Sequence, residues 1–111
     1  MYSLKNVSEM QKAATAAIKE VDGRGPDNIY IKFRKNYIDI YVEGVISKFE
    51  KHLIKEFGKE AIDVFESFYS RDCYRLEERF KESLPFKLEY QFDSLESDFV
   101  NDKFIFKMKR S

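Results

Sequence analysis

Tryptophan is missing from the 111 residues, and cysteine occurs once. A single cysteine forms no internal disulfide, so the fold must hold without covalent staples, as suits a reducing cytoplasm. Gly 4 and Pro 2 are too few for a collagen-like or low-complexity chain. No apolar run approaches the roughly 20 residues that span a bilayer, and Met1 to Glu20 lacks the continuous apolar segment of a signal peptide. Net charge of one sign is also absent. Lys+Arg 20 balances Asp+Glu 20, so the strongly basic footprint of a nucleic-acid-binding protein is lacking.

What is present is an aromatic load of 16%, from Phe 11 and Tyr 7, within 43% hydrophobic and 36% charged residues. Such residues bury large areas, which lets a small chain build a sufficient core. The length and composition describe one soluble domain over residues 1–111.

Leu4, Val7, Ala14, Ile18 and Val21 recur at helical spacing, widened by Met10 and Ala17. Asp22-Gly23-Arg24-Gly25-Pro26 punctuates the end of that helix. A hairpin follows. Ile29, Ile31 and Phe33 alternate with polar residues, as do Ile38, Ile40 and Val42. A turn at Lys35-Asn36 pairs Phe33 with Ile38, Ile31 with Ile40 and Ile29 with Val42 on one apolar face. The other face sets Lys32 opposite Asp39 and Tyr30 opposite Tyr41. Ser47 and Glu50 have capping-box spacing, so a helix starts there with Phe49, Leu53 and Phe57 expected to face inward. The helical pattern resumes at Lys59 and runs to Pro85. Phe86, Leu88, Tyr90 and Phe92 then alternate, and after a polar loop so do Phe104, Phe106 and Met108. The order α-β-β-α-α-β-β predicts a two-layer α+β domain, a mainly antiparallel sheet with helices on one face.

Gly23-Arg24-Gly25-Pro26, two strands, Gly44-Val45-Ile46-Ser47-x-x-Glu50-x-x-Leu53, a long helix carrying Arg71, and Asp93 after the third strand form one recognisable pattern. It resembles the small bacterial MpsC-like domain, named for a Na+-translocating, membrane-potential-generating system. Ile46-Ser47 stands where the family more commonly has Leu-Thr, which keeps the cap. The resemblance implies a single α+β domain with motif positions at Gly23, Gly25, Pro26, Gly44, Ser47 and Glu50. It links the chain to ion translocation, yet a chain without a membrane span does not translocate ions alone.

The Gly-Arg-Gly-Pro turn presents backbone amides and Arg24, the pattern of an anion nest, though it closes a helix where phosphate loops open one. Gly25 is expected to need the conformational freedom of glycine. Arg71, Arg75 and Arg79 form an i, i+4 stripe, with Asp72, Glu78 and Glu82 spaced to pair with it. Arg71 is the candidate to reach the turn or to bind Asp93. Asp93, Glu96, Asp98 and Asp102 read as an acidic hairpin loop without the spacing of a calcium site. His52 reads as a surface residue and Cys73 as a buried thiol. No triad-like or metal-ligating set is visible, so neither enzyme nor cofactor is indicated. Tyr30, Tyr37 and Tyr41 share the outer hairpin face with Lys32 and Arg34, a mixture suited to a protein interface and so to a homodimer. The expectation is a cytoplasmic, non-enzymatic accessory or regulatory module that works through protein contacts, including a partner at the membrane. The alternative is a small-ligand or anion sensor using Arg24 and Arg71.

Overall fold

Alternation of apolar and polar residues puts one side of each strand in oil and the other in water, and that constraint sets the register here. The computed structural model describes residues 4–84 and 90–110. Its elements are α1 (Leu4–Asp22), β1 (Asn28–Arg34), β2 (Tyr37–Glu43), α2 (Lys48–Phe57), α3 (Lys59–Ser83), β3 (Tyr90–Asp98) and β4 (Lys103–Arg110). The strands form one antiparallel sheet in the order β1-β2-β4-β3. The expected hairpin register holds throughout: Phe33 faces Ile38, Ile31 faces Ile40, Ile29 faces Val42 and Tyr30 faces Tyr41. In the turn only Asn36 takes positive φ, 66°, a conformation that asparagine tolerates, so Lys35 avoids it. The Arg110 amide donates to the Asn36 carbonyl and ties the far end of β4 to this turn.

The helices lie on the apolar sheet face. Met10, Ala13, Ala14, Ala17 and Ile18 of α1 are buried against Ile38, Ile40 and Val42 of β2 and Phe104, Phe106 and Met108 of β4. The alanines let α1 and α3 approach closely, and Leu76 and Phe80 of α3 complete the core. Phe80 sits at its centre, with ring centroids 4.6 Å from Phe106 and 5.6 Å from Phe92. Cys73 is only half-buried at the edge of this cluster.

The capping box at Ser47 forms as expected: the Glu50 amide donates to Ser47 Oγ, and the Ser47 amide donates to Glu50 Oε1. The facing of α2 differs from expectation. No residue of α2 is buried, and Phe49 and Phe57 are 70% and 60% exposed. The stripe exists, but the α2–α3 pair leaves it largely uncovered. Gly58 (φ 60°) separates the two helices. α3 ends at Ser83, and Leu84, the residue before Pro85, is extended, as proline favours. The expected strand residues Phe86 and Leu88 lie outside the described residues.

The acidic segment also differs from the expected loop. Asp93, Glu96 and Asp98 belong to β3, and only 99–102 form the turn. Phe99 in that turn is buried, edge-on to Phe104 at 5.9 Å. A register shift between Phe92 and Ser94 leaves Asp93 as the extra residue of a β-bulge, a feature that blunts an edge strand against unwanted pairing.

Candidate functional site

Two polar arrangements stand out from this frame. The first joins three loops at one end of the sheet. Gly23 ends α1 with φ 83°, its amide donating to the Lys19 carbonyl. The chain turns so that Arg24 Nη1 donates to Asp27 Oδ1 at 2.9 Å and Nη2 donates to the Gly44 carbonyl at 2.8 Å. Asp102 grips the same loop from the other side. Its Oδ1 accepts from the amides of Val45 (2.9 Å) and Ile46 (2.7 Å), and its Oδ2 pairs with Lys51 Nζ at 2.8 Å. That hydrogen bond from Lys51 to Asp102 raises the Lys51 pKa. The Gly44 amide donates to the Asp102 carbonyl as well.

Gly44 is where glycine is indispensable. Its φ is +78°, and a Cβ would lie 2.4 Å from the Asp27 Cβ. Gly25 corrects the expectation made for it: its φ is not positive and a Cβ there meets open space. Of the Gly23-Arg24-Gly25-Pro26 turn, then, Gly23 carries the left-handed conformation, and Arg24 fastens the turn to Gly44.

The second arrangement is the sheet face away from the helices. Tyr30 and Tyr41 stack with centroids 4.8 Å apart and planes 3° from parallel. Lys32 Nζ lies 5.0 Å from the Tyr41 ring and 6.0 Å from Tyr30, and Lys103 Nζ is 5.8 Å from Tyr41. Arg34 lies 4.9 Å from the Tyr37 ring. These are cation–π distances. Lys32 opposes Asp39 in register, but the carboxylate bonds elsewhere. Arg34, on the diagonal, takes Asp39 in a two-pronged pair at 2.7 and 2.9 Å. Guanidinium matches carboxylate geometry and reaches farther than an ammonium. The pair raises the Arg34 pKa, chiefly through the hydrogen bond, and leaves Asp39 only 3% exposed. Lys107 beside it bonds Glu96 at 2.6 Å, which raises the Lys107 pKa.

The predicted site residues therefore separate. Arg24 sits in the loop junction, while Asp93 lies on the bulge of edge strand β3, next to the Ser94 hydroxyl. Arg71 lies on α3, and its side chain is outside the described residues. Of the arginine stripe, Arg79 bonds Glu20 of α1 and Glu82. Tyr30 and Tyr41 come together, with Tyr37 at the end of the same face. His52 is exposed. Asp102 and Asp27 were missed as anchors. For Asp102 the only signal in the sequence is an Asn101-Asp102 pair just before a strand, a pair suited to the positive φ (53°) that Asp102 adopts.

The fold and these two arrangements define a two-layer α+β domain with one sheet face free of helices and its loops locked at one end. Among the described residues no helix is long and apolar enough to cross a membrane. Residues 5–71, more than half of the chain, match the family model described as Na+-translocating membrane potential-generating system (MpsC), and the chain belongs to that family. The matched stretch contains the loop that holds Arg24, the first hairpin, Gly44 and the Ser47 cap. No curated protein and no solved structure matches the chain.

Proposed function

We propose that this chain is a cytoplasmic, non-enzymatic accessory or regulatory module of a sodium-translocating, membrane-potential-generating system, acting through protein contacts. The observation that carries the proposal is the helix-free sheet face with its Tyr30–Tyr41 stack, flanked by Lys32, Lys103 and the Arg34–Tyr37 pair. Rigid tyrosines and arginine are what contact surfaces are enriched in. The first partner for this face is a second copy of the chain, since a two-fold axis matches a flat face to itself. Asp39, buried beneath Arg34, contributes to the shape of this face and not to its rim.

The anion-sensor alternative needs Arg24 to face a ligand. Its two Nη groups are engaged by Asp27 and the Gly44 carbonyl, which favours the contact module. Light scattering at high micromolar concentration tests the proposal. The wild type is expected as a dimer, and Tyr30→Glu with Tyr41→Glu as a monomer with unchanged helical circular dichroism. A wild-type monomer removes the self-contact and reassigns the face to a different partner.

A further inference from the structure

Away from the tyrosine face, α2 and the first turns of α3 leave an apolar strip in water. A groove of about 190 Å³ is lined by Leu53, Phe57, Ala61, Val64 and Phe65, with Glu60 at its mouth. Phe57 and Val64 are 60% and 52% exposed, and Phe49 extends the strip one helical turn further. Large apolar side chains clustered in water mark a binding surface. The rim says what it binds. Glu60 lines the groove and Glu56 flanks the strip beside it; both are exposed, and neither has an ion pair among the described residues. By the same spacing Lys55 falls on the opposite face of α2, and Lys59 falls on the opposite face of α3 together with Asp63, four residues on.

We propose that the α2–α3 groove docks a basic amphipathic helix of a partner protein. Its apolar residues at i, i+3 or i+4 and i+7 enter the groove, and its lysines or arginines meet Glu56 and Glu60. Helix-in-groove recognition uses this spacing, and rims of opposite sign set partner choice. Charge argues against the other occupants. A second copy would bring the same acidic rim against itself about a two-fold axis. An anionic membrane surface would meet the same two carboxylates at the groove.

The test is fluorescence anisotropy with two labelled synthetic peptides of about 18 residues that share one apolar stripe and carry either lysines or glutamates beside it. The basic peptide is expected to bind at least about tenfold more tightly than the acidic one and to weaken as salt rises. Phe57→Lys and Val64→Lys, both at exposed positions, should each weaken the basic peptide about tenfold with an unchanged melting temperature. Tyr30→Glu with Tyr41→Glu should bind it as the wild type does, which separates this groove from the proposed function. The proposal is overturned by no binding of the basic peptide, by equal binding of the two peptides, or by variants that bind like the wild type. Competition by phosphatidylglycerol vesicles, or a dimer that Phe57→Lys dissociates, would equally assign the groove to a lipid surface or a second copy.

Discussion

Replacing Asp102 should loosen the loop before α2 more than any other single change on the surface. Its carboxylate accepts two backbone amides, from Val45 and Ile46, and pairs with Lys51. Val45 and Ile46 are buried, so their amides have no ready access to water once the acceptor is gone. Hydrogen bonds to a charged group contribute about 1.5–3 kcal/mol each, and losing both in one residue costs about 3 kcal/mol after non-additivity. Asp102 also holds φ 53°, where alanine adds about 1 kcal/mol of strain. The Lys51 pair, half in solvent and screened by it, adds little. Asp102→Ala should therefore cost about 4 kcal/mol, close to 15 °C in melting temperature for a chain of this size.

Asp102→Asn separates the contributions. The amide oxygen still accepts from both backbone groups, and asparagine tolerates the left-handed conformation. Only the charge is lost, so the cost should stay near 1 kcal/mol. Urea unfolding followed by circular dichroism measures both variants, and amide exchange at Val45 and Ile46 reports the loop directly. An Asp102→Ala protein within about 0.5 kcal/mol of wild type, with those amides still protected, refutes the role assigned to this carboxylate. So does an asparagine variant as damaged as the alanine one.

Gly44→Ala should unfold the protein or nearly so, because a Cβ would overlap Asp27 at a positive φ, whereas Gly25→Ala should fall within about 0.5 kcal/mol of wild type in thermal melts. Phe80→Ala removes the ring between Phe92 and Phe106 and should cost about 3–5 kcal/mol in urea titrations. Asp98 has its pKa lowered by the Asn101 side chain, so its contribution is complete above the ordinary carboxylate range and is lost as pH falls through the depressed value. Asp98→Asn should therefore lower stability at neutral pH by that contribution and flatten part of the acid side of the stability–pH curve, below about pH 4.

Elements set by local periodicity were legible in the amino-acid order. The α1 stripe, the cap at Ser47 and every pair of the first hairpin follow from spacings of three, four and two. What escaped was anything decided by a distant neighbour. Phe49, Leu53 and Phe57 announce an apolar stripe on α2, but no spacing says whether another element covers it. Asp102 looked like one of several loop carboxylates, and its partners Val45 and Ile46 lie more than fifty positions earlier. Asp39 and Lys32 face each other as expected, yet the choice of Arg34 depends on side-chain reach and fork geometry along the diagonal. Gly25 and Gly44 look alike on paper, and only the approach of Asp27 distinguishes them.

The strand order has a consequence for how the chain reaches this state. Each hairpin closes a short loop and can zip locally, but the sheet becomes one body only when β2 meets β4, bringing Tyr37 to Lys109 and Glu43 to Lys103. That closure spans α2, α3 and the whole of β3, and long-range closures of this kind slow folding. During synthesis β2 emerges early, with Ile38, Ile40 and Val42 on one face and an unsatisfied edge along its length. It waits for residues 103–109 to leave the ribosome. α1, made before β2, can shield those side chains from the moment they emerge, through its Ala13, Ala14 and Ala17 surface, and α3 joins it later. The alanine-rich helix α1 thus serves as a temporary roof for a strand whose permanent neighbour β4 is synthesised only after α2, α3 and β3.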